Sequence, residues 1–204
     1  VGSLLGRIKP GQYIIGHMPY SDAGNKLVQK HISKNITIIR DPRDMALSML
    51  SHIRERPLHM AHSYLYSNLQ TDSERLFAVV HGYNNEFGRL VGLESMYRSM
   101  LPWGDEQDNI TLKFEDLVGE KGGGQDDRQH SVIKKILNHI EPTNQVTDKH
   151  IAFMGSESFG KTTTFRKGQI GRWVSVLDEK DKGLFKESIN DLLIELHYES
   201  NSDW

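Results

Sequence analysis

The stretch Ile36–Leu50, ITIIRDPRDMALSML, changes its pattern at its centre and restricts the architecture more than any other segment. Asn35–Ile39 (NITII) is rich in β-branched residues and mostly apolar, which is how a strand buried on both faces reads. Beyond it, Asp41, Pro42 and Asp44 supply an N-cap, a first-turn proline and an N3 acid, together a helix start. A buried strand that turns directly into a helix points to an α/β fold with parallel strands. The helix start also offers unpaired N–H groups and the positive end of its dipole, at the carboxyl end of the sheet where ligands bind. Arg40 sits at the crossing, and its forked guanidinium suits a phosphate. Ser48, eight residues on and two turns into the helix, offers a hydroxyl. Taken alone, the same residues also read as plain capping by Asp41 and Asp44 with Arg40 paired to an acid.

The flanking pattern extends the α/β reading. Tyr13–His17 (YIIGH) reads as a strand followed by a loop, and Ile110–Phe114 (ITLKF) as another strand. Helices are expected over Asp22–Ile32, Gln129–Ile140, Thr147–Met154 and Glu179–His197. Glu74–Leu101 carries apolar residues at helical spacing and reads as one long helix or a bent pair. Gly119–Asp127 (GEKGGGQDD) reads as a flexible loop, and Ser156–Val176 as an ordered loop rich in Gly, Thr and Arg. No internal repeat is visible. The expectation is a single domain over residues 1–204, with a mostly parallel central sheet covered by helices on both faces.

Composition narrows the chemistry. A net charge of -2 gives no global pull toward nucleic acid, so an anion site has to be built locally. The absence of cysteine excludes disulfides, thiolate catalysis and thiolate metal sites, and fits a reducing, cytoplasmic setting. No apolar run approaches the roughly 18 residues of a membrane span, and no signal peptide is visible. The opening VGSLLGRIKPG reads as a cut inside a longer protein.

Two further features carry candidate chemistry. TTTFRKGQIGRW (Thr162–Trp173) sets Arg166, Lys167 and Gly168 side by side, so two cations and a backbone N–H can converge on one anion. His17 follows an apolar run, where an imidazole can take a proton near neutral pH, although a strand-end histidine bonded to backbone reads the same way. The pairs His59/His62 and His81/His150 lack a third ligand at convincing spacing, so no metal is expected.

Taken in order, ITIIRDPRDMALS, LKFEDLVGE and TFRKGQIGRW resemble the sulfotransferases that use 3'-phosphoadenosine 5'-phosphosulfate (PAPS). The resemblance runs from about Ile14 to the C-terminal helix. It implies a P-loop NTPase-like sulfotransferase fold in which Arg40 and Ser48 bind the cofactor's 3'-phosphate. Arg166, Lys167 and Gly168 would close over that phosphate, and Phe114 would stack on the adenine. Ser158 and Phe159 resemble the adenine-side segment loosely, and Trp173 would pack to hold the loop. His17, followed by Met18 and Pro19, matches the catalytic base. The implied reaction moves a sulfuryl group to a hydroxyl acceptor, a small molecule or a lipid or carbohydrate, and releases 3',5'-ADP without a metal. The acceptor pocket would draw on the loops after His17, on His52–Asn68 and on the long helix, whose tyrosines, Met and His suit a moderately apolar alcohol among other acceptors.

Three departures matter. No Lys-Ser-Gly-Thr-like loop for the 5'-phosphosulfate precedes His17, so the first strand and its loop are expected to be missing and the domain truncated at its N-terminus. Arg172 stands where the family often has Asp, and Ile15 where cytosolic eukaryotic members often carry Lys. The alternatives are a non-catalytic nucleotide-binding fragment or pseudo-enzyme of the same fold and, less closely, a kinase-like phosphotransferase. The oligomeric state is not readable from the chain.

Overall fold

The computed structural model describes residues 2–143, 145–158 and 169–204. In chain order the elements are α1 (Gly2–Leu5), α2 (Asp22–His31), β1 (Asn35–Ile39), α3 (Pro42–Arg54), α4 (Asp72–His81), β2 (Gly82–Asn85), β3 (Gly88–Val91), α5 (Leu93–Met100), β4 (Asn109–Lys113), α6 (Phe114–Leu117), α7 (Asp126–Ile140), α8 (Asp148–Glu157), α9 (Trp173–Val176) and α10 (Glu179–Glu195). Single turns of tighter or wider helix lie at Tyr64–Asn68, Leu101–Asp105 and Glu120–Gly122. The chain divides into two compact units, Val1–Ile39 with Arg98–Gly168, and Arg40–Tyr97 with Gln169–Trp204.

The first unit is built on a parallel pair. β1 and β4 run in register from Asn35 opposite Asn109 to Ile39 opposite Lys113. Thr37 Oγ1 donates to Asn109 Oδ1 at 3.0 Å, and the His139 ring of α7 bonds the Asn35 carbonyl at 3.0 Å. Gln129 of α7 is 4% exposed, yet its amide nitrogen donates to the Leu117 carbonyl and to Ser158 Oγ. A buried amide satisfied in this way fixes α7 against the ends of α6 and α8. Leu112, Val118, Ile133 and Ile151 fill the space between these elements.

The second unit holds the deeper core. Ile53, Leu65, Val79, Phe185, Leu192 and Leu193 are fully buried, and each such side chain contributes about 1.5–3 kcal/mol by leaving water. α4 starts in a capping box, in which the Thr71 hydroxyl accepts from the Glu74 N–H and the Glu74 carboxylate accepts from the Thr71 N–H. α10 bends at Ile189 (φ -141°, ψ 21°) while keeping that side chain buried.

The chain is a mixed α/β protein, mostly helical, with a small parallel sheet in place of the expected broad central one. β1 was expected to be buried on both faces, but Ile38 is 54% exposed because its one described strand neighbour is β4. Tyr13–His17 forms no strand: Tyr13 and Ile15 are more than four-fifths exposed, and no described strand hydrogen-bonds with them. An apolar run becomes a strand only where a neighbour completes the ladder. Gly119–Asp127 is tighter than a flexible loop, since Asp126 Oδ1 accepts the Glu120 N–H at 2.9 Å as α7 begins.

The long helix or bent pair expected over Glu74–Leu101 is interrupted by a hairpin. α4 stops at His81, β2 and β3 pair as an antiparallel hairpin, and α5 follows. Tyr83, Phe87, Leu90 and Val91 satisfy helical spacing, but glycines at 82, 88 and 92 break the run. Gly82 has φ +76°, a conformation that side chains disfavour. Asn85 Oδ1 accepts the Phe87 N–H at 3.0 Å and closes the turn. A Cβ on Gly92 would stand 2.4 Å from the His81 carbonyl oxygen. Gly92→Ala is therefore expected to cost about 2 kcal/mol or more in urea unfolding. A loss below about 0.5 kcal/mol, the range of neutral surface changes, would show that the two backbones are not held this close.

Candidate functional site

The turn between β1 and α3 is fixed by its own side chains. Asp41 caps α3 by accepting the Arg43 N–H at 2.9 Å, and Pro42 fills the first helical position. The Arg40 carbonyl accepts from the hydroxyl of buried Tyr97 at 2.6 Å. The Arg40 guanidinium donates to the Gln169 carbonyl at 3.0 Å and lies 4.0 Å from the Asp44 carboxylate. Its side chain keeps 16% of its surface in solvent. Ser48 lies half-buried further along α3.

Asp44, the acid expected in the first helical turn, stands there and also reaches a distant segment. Its carboxylate accepts the Gly171 N–H at 2.7 Å and the Trp173 N–H at 3.0 Å. The segment 169–173 is thereby joined to the first turn of α3. Burial pushes the Asp44 carboxyl above the ordinary carboxylate range, against the two N–H donors and the Arg40 charge, which pull it down.

Beside it, Arg43 is 1% exposed. Its Nε and one terminal nitrogen fork onto Asp41 at 2.9 and 2.7 Å, and the other terminal nitrogen donates to Glu199 at 2.5 Å. The guanidinium carbon lies 3.6 Å from the centre of the Trp173 ring and 4.5 Å from that of Trp204. The two indoles meet edge to face at 5.6 Å. Burial disfavours the charge, but the Asp41 and Glu199 carboxylates more than offset it and hold the pKa above the ordinary arginine value.

His17 and Phe114 belong to the first unit. His17 is exposed and lies in an irregular segment. The residues after it are pinned: Trp103 Nε1 donates to the Met18 carbonyl at 2.8 Å, the Tyr20 N–H donates to the Ser99 carbonyl, and Tyr20 packs edge to face on Trp103. The Tyr20 hydroxyl donates to Glu106, a bond that raises its pKa. Phe114, half-buried, opens α6 directly after β4 and is not the last strand residue. The Ser158 hydroxyl is engaged with Gln129 and the Gly155 carbonyl. Arg166, Lys167 and Gly168, together with Phe159, lie outside the described residues.

The structure thus brings Arg40 to the start of the segment that follows the Arg-Lys-Gly motif. It adds Asp44, Arg43 and Tyr97, which the sequence reading did not assign to a site. Asp44 and Trp173 were visible as a first-turn acid and a loop tryptophan. Their pairing spans 129 positions and left no local signal.

No protein-family model matches the sequence, and no curated protein matches it. Among solved structures, the chain is similar to the crystal structure of mouse sulfotransferase SULT7A1 complexed with PAP, at a TM-score of 0.55 and 20% sequence identity. The match covers 81% of this chain and 62% of that one, so the chain spans less than two thirds of the length of the mouse protein. The likeness shows a shared fold.

The carboxylate of Asp44 is testable without any ligand. Asp44→Asn places an amide nitrogen against one of the two N–H donors and takes away that donor's acceptor at a part-buried position. The expected loss is about 1–3 kcal/mol of stability by thermal or chemical unfolding. Wild-type stability in the variant would mean that Gly171 and Trp173 do not depend on this carboxylate.

Proposed function

We propose that this chain carries the 3'-phosphate half of a PAPS-dependent sulfotransferase site, and that the reaction is sulfuryl transfer to a hydroxyl acceptor. The observation that supports the reading most directly is Arg40: it stands at a strand-to-helix turn, bonded to the segment that directly follows Arg166, Lys167 and Gly168. This arrangement occurs on a fold shared with a sulfotransferase crystallised with PAP, which is 3',5'-ADP. In the proposal, Arg40, Ser48, Arg166, Lys167 and Gly168 take the 3'-phosphate, and Phe114 stacks on the adenine. The start of α3 adds the positive end of a 13-residue helix.

His17 is the proposed base. The acceptor oxygen attacks sulfur in line, the bond from sulfur to the bridging phosphate oxygen breaks, and 3',5'-ADP leaves with that electron pair. The acceptor's proton passes to the imidazole. An imidazole is the side chain whose ordinary pKa best suits proton uptake near neutrality. Positioning of the nucleotide supplies much of the rate in such a transfer. The acceptor class is a small molecule, lipid or carbohydrate bearing a hydroxyl. A second reading, nucleotide binding without transfer, is favoured by the exposed, irregular setting of His17, which differs from the strand end expected of the base.

Titration calorimetry tests the phosphate site. The chain is expected to bind 3',5'-ADP at least about tenfold more tightly than 5'-ADP, and Arg40→Ala to weaken 3',5'-ADP by about 2 kcal/mol or more. Equal affinities for the two nucleotides would remove the 3'-phosphate assignment.

A sulfur-label transfer assay across a panel of hydroxyl acceptors tests the chemistry. His17→Ala should lower kcat by roughly 10²-fold or more and leave 3',5'-ADP affinity unchanged. Binding of 3',5'-ADP with no transfer to any acceptor would select the second reading. A folded variant with wild-type turnover would remove His17 from the mechanism.

A further inference from the structure

Arg43 is the largest fully buried side chain of the described residues, and its function is not explained by capping or by core packing. Asp41 already caps α3 through the Arg43 backbone N–H. A buried guanidinium is a poor way to fill a core, because an apolar side chain of similar volume is often as stabilising or more so. What the charge does provide is direction. A planar fork satisfied by two carboxylates, with an indole on it at 3.6 Å, accepts few orientations of its neighbours.

Those neighbours come from three places in the sequence. Asp41 belongs to the strand-to-helix turn, Trp173 ends the segment that bonds Arg40, and Glu199 and Trp204 follow α10. The segment's backbone bonds to Asp44 fix its distance from the helix. They leave its tilt about that carboxylate open, and the Trp173 ring lying against Arg43 removes this freedom. Tilt matters because Gln169, four residues before Trp173, holds the Arg40 guanidinium.

We propose that Arg43 is a positioning residue for the 3'-phosphate site, setting through Trp173 the direction in which Arg40 faces, with Glu199 and Trp204 as the far wall of its cage. The proposal rests on the phosphate reading above. It makes a region more than 150 residues away in sequence part of the site's support. Arg43 itself touches no phosphate; it acts through its neighbours.

Trp204 is the variant of choice, since it is partly exposed and its loss spares the core. Two readouts are combined. Hydrogen exchange at the Gly171 and Trp173 amides needs no ligand, and the affinity ratio of 3',5'-ADP to 5'-ADP reads the site. Trp204→Ala is expected to speed exchange at both amides by about tenfold, the size of one lost cation–π contact. Amides of α10 such as Leu192 and Leu193 should keep their protection. The preference for 3',5'-ADP should fall by about tenfold with 5'-ADP affinity unchanged, and Trp204→Phe should restore most of both effects. Arg43→Lys should behave as Trp204→Ala does, because an ammonium cannot reproduce the fork.

A Trp204→Ala protein that keeps the nucleotide preference, with or without faster exchange, overturns the positioning role and leaves the phosphate site standing. So does an equal weakening of both nucleotides, which is general destabilisation. A wild-type chain without any preference between the nucleotides overturns the phosphate site, and the positioning role with it.

Discussion

Two backbone N–H groups converging on one buried carboxylate tie the second unit together. Gly171 and Trp173 lie 127 and 129 positions from Asp44 along the chain, and both donate to it. A buried carboxylate is costly unless its oxygens are satisfied, so the first turn of α3 and the segment 169–173 have to come together or pay that penalty separately. The neighbouring charges follow from this constraint. Arg40 faces Asp44 from the turn, and Arg43 reaches the other way to Asp41, Glu199 and the two indoles. Positive and negative groups alternate along RDPRD, so each buried charge has an opposite one within reach.

Local signals were readable and long-range ones were not. The bounds of β1 and the start of α3 follow from β-branched residues, a capping Asp and a proline, all decided by neighbours in sequence. α2, α7, α8 and α10 likewise follow their apolar periodicity to within a few residues. The hairpin between α4 and α5 was hidden because its apolar residues satisfy two periods at once, and the glycines at 82 and 92 carried the deciding information. Tyr13–His17 shows the converse case: its composition suits a strand, but strand formation depends on a partner that a local pattern does not specify.

The candidate site was legible in the same uneven way. Arg40 was identifiable from its place at a strand-to-helix crossing, a position defined by adjacent residues. Asp44 stood in the same quoted stretch and read as a helix cap, and Arg43 beside it carried no local signal of a role. Their actual partners sit at 169–173 and 199–204 and are brought to them only by the fold.

The cage around Arg43 gives the protein a built-in optical reporter. Of the three tryptophans, Trp173 and Trp204 lie against one guanidinium in the second unit, while Trp103 is buried in the first with its indole nitrogen on the Met18 carbonyl. An indole facing a cation and an indole bonded to a carbonyl sit in different local fields, so their emission has no reason to coincide. Intrinsic fluorescence from this chain therefore carries two signals, one from each unit. Trp103→Phe would leave indole light from the Arg43 cage alone, and the double change at 173 and 204 would leave only Trp103, whose indole bonds the Met18 carbonyl.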